Sequence, residues 1–590
     1  MFQPTKTVQS RMSDDSFESS DLALFISIRD NDIPRLQRLI DALTPADSHE
    51  RLEDETVWGM PLHVATLCNS SAAVEILLSA GASPLALRHS SDDDRTPLEI
   101  AARQGNRAIL RQLWQHIDPD HHTNNYTNFQ SCLVYSAMYE QVSIVADLLS
   151  WWDGWGPKAA KQALSWAAMR WQVYVVELLL PKFLFNQQTL DNTLEYAASF
   201  KAKTSIFERI DYRGIDHLEQ QQLIALLVDA RANPNSTLNR SSTILSAAFC
   251  MDLVGALKAL LEKSADPNAT MHTGVSALHR LGFPVSIKRA PTKRGLHETG
   301  IRLLLKKGAS VCQENKSGET PIHYAACGSN LRILQLYLSA YPGDEVDDFI
   351  RSKNRHGETL LHHAAAGCSI EIIEYLLSDG GIKGSINQAN SNGWTPFMCA
   401  LAQTAVDGIP PLANCKTPLQ VLPAVQLLLA HGANPLVVTA EGWTPLHCLA
   451  LYHSENTSDE TIQLIDKLVL AGADVNACAL FPFDDEPIPG HPRASGPKAF
   501  GWGHQVEEVI KDPASKRMVV RSGLTPLHFA AAHGAVGVIA ALLRHGANPA
   551  AEDSTGASPA RTAGDSARLR YQPKAQEKII TMLMDAGGSY

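Results

Sequence analysis

From Gly523 to Gly534 the chain reads GLTPLHFAAAHG, and this stretch decides the fold. Thr525 has the side chain of a helix N-cap, able to bond an orphan backbone N–H of the first turn. Pro526 then falls at the first helical position, where its missing N–H costs nothing and its fixed φ suits a helix. Leu527, Ala530 and Ala531 recur at helical spacing, and the alanines leave room for another helix to approach closely. Gly534 ends the helix after about two turns by supplying the left-handed conformation. A second helix is predicted in VIAALLRHG, with Val538, Ile539, Leu542 and Leu543 as its apolar stripe and Gly546 as its stop, followed by an ANP turn. A single pair of this size cannot bury its own apolar face, so only a neighbouring copy can cover it.

Copies are abundant. TPIHYAACGSNLRILQLYL begins at Thr320, TLLHHAAAGCSIEIIEYLL at Thr359, TPFMCAL at Thr395, TPLHCLA at Thr444, TPLEIAARQGNRAILRQLW at Thr96 and MPLHVAT at Met60. The second-helix ending recurs as LLSAGASP, LLEKSADPN, LLKKGAS, LLAHGANP, LVLAGADVN and LLRHGANP. The pattern resembles the ankyrin repeat family, whose period is about 33 residues with a TPLHxA signature. The resemblance implies an all-α fold: an ankyrin-repeat solenoid of about a dozen or more stacked helix-turn-helix units with protruding hairpin-like loops. The long, irregular, insert-bearing array is also similar to filamentous-fungal ankyrin-repeat proteins, some of which are associated with transcriptional co-regulation of secondary-metabolite gene clusters.

The expected organisation follows from where the motif is crisp and where it decays. Residues 1–20 read as a disordered acidic and serine-rich tail, 21–126 as N-terminal repeats, and 127–240 as degenerate repeats that lose Thr-Pro and the closing glycine. Residues 241–479 read as central repeats with inserts at 283–298 and 403–419, and 480–522 as a Pro/Gly-rich insert that replaces or extends a protruding loop. Residues 523–590 form the last repeats and cap.

Composition narrows the function classes. With 590 residues and a formal net charge of −11, the chain lacks the concentrated basic surface that gripping phosphates requires, so direct nucleic-acid binding is not expected. No apolar run reaches the roughly 18 residues of a membrane span. The N-terminus lacks the apolar core of a secretory signal, so a cytoplasmic or nuclear location is expected. Ten cysteines are scattered singly, among them Cys68, Cys132, Cys250, Cys327 and Cys448, and read as reduced core residues instead of a disulfide frame.

His528 has counterparts at His63, His279, His323, His362 and His447. A catalytic residue is needed once, whereas a residue reiterated in every unit serves a job that every unit shares. The resemblance implies that this histidine ties neighbouring backbone together. Metal binding by His447 with Cys448, His362 with His363 or His121 with His122 is not expected, because adjacent helical residues point apart and no CxxC or HExxH spacing is present. Phosphate-loop and nucleophile-elbow motifs are absent. The carboxylate runs at Asp92 to Asp94, Asp344 to Asp348 and Asp484 to Glu486 read as solvated loops. No catalytic residue, cofactor, metal or small-molecule substrate is therefore expected.

Surface recognition of a protein partner remains. The residues just before each Thr-Pro, namely Glu319, Glu358, Trp394, Trp443 and Leu524, are expected side by side along one edge, with the two tryptophans as partner anchors or as shields for the adjoining loop. The tryptophans Trp151, Trp152, Trp155, Trp166 and Trp171 read as fillers between irregular repeats. Lys288, Arg289, Lys293 and Arg294 ride on an insert and resemble a short nuclear-import signal or an acidic-partner site, or are a solvated loop. The expected function is a non-enzymatic adaptor for protein–protein interaction. The alternatives are a nuclear transcription co-regulator acting through a DNA-binding partner, and an enzyme or small-molecule binder.

Overall fold

The computed structural model describes residues 22–44, 50–56, 58–87, 95–117, 126–198, 218–238, 241–242, 254–271, 273–282, 294–328, 331–343, 346–378, 385–401, 418–451, 459–483, 519–566 and 569–590. Two units partition the chain, residues 1–266 and 267–590. Each is a stack of antiparallel helix pairs.

In the second unit the quoted stretch forms the helix Pro526–His533, with Thr525 as N-cap, Pro526 at its first position and Gly534 at φ +75° closing it. Its partner runs Val536–Arg544 and ends at Gly546, φ +83°. Equivalent pairs are Pro321–Gly328 with Leu331–Ser339, Leu360–Ala366 with Ile370–Ser378, Pro396–Leu401 with Pro418–Ala430, and Pro445–Leu449 with Asp459–Leu470. The first helix of each pair packs on the first helix of the next, and buried alanines such as Ala325, Ala326, Ala364 and Ala365 permit the close approach. The second helices bury Leu334, Ile373, Leu428 and Leu542 against them.

The first unit has the same plan, and the decayed motif between residues 127 and 240 still folds as pairs: Tyr126–Met138 with Val142–Trp151, Pro157–Met169 with Val173–Leu179, and Gln187–Ala198 with Leu218–Asp229. Where the closing glycine is missing, Glu140 and Trp171 take its place at φ +65° and +56°. Non-glycine residues pay roughly 1–2 kcal/mol for that conformation. Trp171 recovers part of this cost by burying its side chain. Trp114, Trp151, Trp152 and Trp155 cluster with ring centroids 5.1–6.0 Å apart, and Trp155 donates its Nε1–H to the Leu148 carbonyl at 3.2 Å. Among the described cysteines, Cys68, Cys132, Cys327, Cys399 and Cys448 are buried as free thiols.

Strands are few. Ala479–Phe483 pairs antiparallel with Val519–Leu524, so the large insert is entered and left through a two-stranded ladder that prolongs one loop. Residues 484–518, the 1–20 tail, most of the 283–298 insert, residues 403–417 and the carboxylate runs at Asp92 to Asp94 and Asp484 to Glu486 lie outside the described residues.

Two hydrogen-bond ladders join successive repeats. In the first, an asparagine after four of the second helices brackets the next repeat's turn. Asn268 donates to Gly308 O at 3.1 Å and accepts from Ser310 N at 2.7 Å, and Asn387 does the same with Gly432 O and Asn434 N at 3.0 and 2.7 Å. Asn476 repeats it with Gly546 O and Asn548 N at 3.4 and 2.8 Å, and in the first unit Asn235 does so with Ser264 O and Asp266 N. The second ladder is backbone only: Lys316 N to Thr273 O, Arg355 N to Ser317 O, Ser391 N to His356 O and Leu480 N to Glu441 O.

Asn476 and its partners are 70 and 72 residues apart, across the large insert, so this bracket joins the last repeats to the rest of the unit. Asn476→Ala is expected to lower stability by about 1 kcal/mol, the net worth of exposed amide hydrogen bonds. A shift in the urea midpoint followed by circular dichroism checks it.

Candidate functional site

The repeated histidines sit where loop meets helix. Thr525 N–H donates to His528 Nδ1 at 3.1 Å, and the same bond joins Thr444 to His447, Thr359 to His362, Thr320 to His323 and Ser276 to His279. A backbone N–H can only donate, so each Nδ1 is an acceptor and the proton of the neutral ring sits on Nε2. That Nε2–H then reaches the next repeat's carbonyl: His279 to Glu319 O at 3.0 Å, His362 to Trp394 O at 3.1 Å, His447 to Leu524 O at 3.2 Å and His528 to Ala557 O at 3.1 Å. In the first unit His63 Nε2 lies 3.1 Å from Arg95 O. These imidazoles are cross-links between repeats. Burial holds His279, His362 and His447 at about 4, far below the usual histidine range.

Three of the residues before each Thr, Glu319, Trp394 and Leu524, offer these carbonyls. Glu319 O, for example, accepts from His279 and also from Asn315 N at 2.8 Å. That double engagement fixes the Glu319 backbone at the loop base. Glu319, Glu358, Trp443 and Leu524 are buried, Glu358 at 0% and Trp443 at 2% exposure, which leaves these four no free surface for a partner and gives Trp443 the place of the alternative reading, a shield for the adjoining loop. Trp443 packs on His447 and Phe529 and donates Nε1–H to Leu480 O at 3.1 Å. Trp394 is half-buried. Lys288, Arg289 and Lys293 lie outside the described residues, and Arg294 begins the helix Arg294–Lys306.

Outward-facing apolar residues occur elsewhere. Leu436 and Val438, in the loop after Pro418–Ala430, are 42% and 60% exposed, and Leu470 and Leu480 of the following repeat are exposed as well. The sequence reading missed these positions because it looked beside Thr-Pro and not along the loop arms.

One buried cluster has the chemistry of a metal centre. Glu319, Glu358 and His363 are all buried and place one ligand atom each within 4.8 Å of the others. His363 Nε2 is 3.9 Å from Glu319 Oε1 and 3.8 Å from Glu358 Oε2. Asparagines orient both carboxylates: Asn315 donates to Glu319 Oε2 at 2.7 Å, Asn354 to Glu358 Oε2 at 2.7 Å, and Asn390 to Glu358 Oε1 at 3.0 Å. Burial, with the Glu319 carboxylate adding to it, pushes Glu358 up to about 8 against the opposing asparagine bonds. Burial drives His363 well below its usual range, with His323 and His362 adding to the effect. His323 meets the His363 ring edge to face at 4.9 Å between centroids. Among the described residues its Nε2 makes no hydrogen bond, although its counterparts all reach the following repeat. Adjacent-residue spacing could not reveal this cluster, because the two glutamates come from the same position of consecutive repeats. A glutamate recurring before Thr at 319 and 358, with a second histidine after the shared one, was the available signal.

Comparison with known proteins agrees with the helix pairs. A family model described as ankyrin repeats (3 copies) matches residues 330–420, and the ankyrin repeat model matches residues 441–479 and 522–554. A curated mouse protein, NF-kappa-B inhibitor delta, is 30% identical over 159 residues, which span 22% of this chain and 49% of the relative. The chain thus covers about half the length of that relative.

Proposed function

The chain carries ankyrin repeats, and from that premise we propose that it is a non-enzymatic adaptor that holds a protein partner against the loops of its second unit. Ankyrin repeats generally mediate protein–protein interaction. The observation that supports the location is the exposure of Leu436, Val438, Leu470 and Leu480 on two consecutive repeats, where the inter-repeat ladders hold the supporting loops. Preformed loops lose little ordering entropy on association. His279, His362, His447 and His528 supply no chemistry in this reading, since backbone engages both nitrogens of each ring.

A finer reading takes its lead from the relative, whose name describes an inhibitor of NF-kappa-B. Carried to this chain, it supports a nuclear co-regulator that works through a DNA-binding partner, with Lys288, Arg289, Lys293 and Arg294 directing import. Fluorescent tagging of the intact chain and of the quadruple alanine variant tests this, and an unchanged cytoplasmic distribution in both overturns it.

For the adaptor itself, proximity labelling identifies neighbours, and the double variant Leu436→Ser, Val438→Ser is expected to lose the principal neighbour at least tenfold with an unchanged circular dichroism melt. Removing two exposed apolar side chains costs the fold little, whereas anchors in an interface are worth about 2 kcal/mol or more each. Undiminished labelling by that variant removes these loops from the interface.

A further inference from the structure

We propose that Glu319, Glu358 and His363 form a binding site for one zinc-class divalent cation between two stacked repeats of the second unit. The three donor atoms converge from two loop bases and one helix, with Nε2 to carboxylate distances of 3.9 and 3.8 Å. An ion about 2.0–2.2 Å from each nitrogen and oxygen ligand fits between atoms at that separation.

Charge and coordination select the class of ion. Once both are deprotonated, two carboxylates and a neutral imidazole carry two negative charges in a dry interior, and a divalent cation that displaces the carboxyl proton balances them. Buried charges are kept when they are paired or coordinate metals. Calcium requires six to eight oxygens, more than this pair of glutamates presents, and magnesium retains most of its water in an octahedral shell. A mixed nitrogen and oxygen set with few ligands suits zinc, which takes three protein donors and a fourth position. Asn315, Asn354 and Asn390 supply the outer hydrogen bonds that hold ligating carboxylates in place.

A second, independent observation marks the same spot. Five histidines of the TPLH type pass their Nε2–H to the next repeat's loop base, at Arg95, Glu319, Trp394, Leu524 and Ala557. His323 is buried, its Nε2 has no partner among the described residues, and by the ladder's pattern that atom faces the base of the loop that carries Glu358. The cross-link is therefore interrupted where the two carboxylates and His363 meet, with the His323 ring edge to face against His363 at the margin of the three donors.

The test uses the full chain, stripped with a chelator and titrated with zinc chloride against a chromophoric competitor, alongside the isosteric double variant Glu319→Gln, Glu358→Gln. The expected result is one tight zinc equivalent in the native chain that weakens at least tenfold in the variant, with the circular dichroism spectrum unchanged. Zinc bound equally by both chains, or by neither, overturns the site. The cobalt(II) spectrum of the native chain decides the question without any variant, even if the double variant fails to fold. One equivalent with visible ligand-field bands and no thiolate charge-transfer band supports a nitrogen and oxygen site. A thiolate band, or no bound cobalt, overturns it by placing the metal on cysteines or nowhere.

Discussion

Between pH 6.5 and pH 4 the second unit is expected to lose about 3 kcal/mol of stability on account of His447 alone. The folded protein holds this imidazole at about 4, chiefly through burial, with the hydrogen bonds from its ring to the Leu524 and Ala477 backbone opposing the shift and the neighbouring His528 adding to it. The unfolded chain titrates near 6.5. Because the folded value is depressed, the unfolded state binds more protons throughout this window, and stability must fall as pH falls through it. Above the unfolded value the contribution is complete, and below about 4 it is gone. At about 1.4 kcal/mol for each pH unit between the two values, the loss is about 3 kcal/mol. The structural reason is specific: protonating Nδ1 places a proton where the Thr444 N–H already donates, so charging the ring breaks a helix cap as well as desolvating a cation.

His279 and His362 are held at about 4 by burial in the same way, so the effect is repeated along the stack. Glu358 works in the opposite direction. Its folded value is raised to about 8, so its contribution is fully present at low pH and is lost as pH rises. A denaturant series at pH 7, 5.5 and 4 therefore includes both trends, and His447→Gln isolates one of them. Glutamine carries an acceptor and a donor and does not titrate, so the variant is expected to show a pH dependence shallower by about 3 kcal/mol over the window. Equal dependence in both chains would show that this cross-link survives protonation and that the neutral tautomer is not what holds the repeats together.

How far the sequence could be read is decided by whether a residue's role lies within one repeat or between two. Pro526 at the start of a helix and Gly534 at its end are local matters, and both stand where the motif puts them. The histidine's reiteration pointed to a job shared by the units, and its second bond, which carries out that job, crosses to the next repeat. The burial of Glu319 and Glu358 was out of reach because their inter-repeat bonds, His279 to Glu319 O and Asn390 to Glu358 Oε1, are displayed by no single unit. The bracketing asparagines at 268 and 476 close the recurring endings LLEKSADPN and LVLAGADVN, whereas Asn387 follows no such ending, and the reach of all three to a glycine carbonyl of the next repeat was hidden. In the degenerate region, the loss of glycine reads as a break, yet Glu140 and Trp171 adopt the left-handed conformation because stacking on both sides leaves the chain no other path.

Gly367→Ala is expected to destabilise the second unit by about 3 kcal/mol or more, which is an overpacking effect at the upper end of its range. Gly367 follows the helix Leu360–Ala366 at φ −79°, a conformation any residue adopts, so backbone preference is not the cause. The cause is contact: a Cβ there would sit 1.5 Å from the Cys327 carbonyl oxygen and 2.4 Å from its carbon. Both atoms are backbone, at the end of the helix Pro321–Gly328, and cannot rotate away as a side chain could. Relief requires the two first helices to separate, which loosens the packing in which Ala325, Ala326, Ala364 and Ala365 are buried and displaces the Ser369 hydroxyl from the same carbonyl. Gly432→Ala provides the contrast. That residue has φ +91° and nothing within 4 Å of a built Cβ, so its cost is conformational only, about 1 kcal/mol. Thermal melts of the two variants should therefore rank Gly367→Ala far below Gly432→Ala. The reverse order would mean that the repeats slide past one another freely, and that the approach of one first helix to the next is not what fixes the stack.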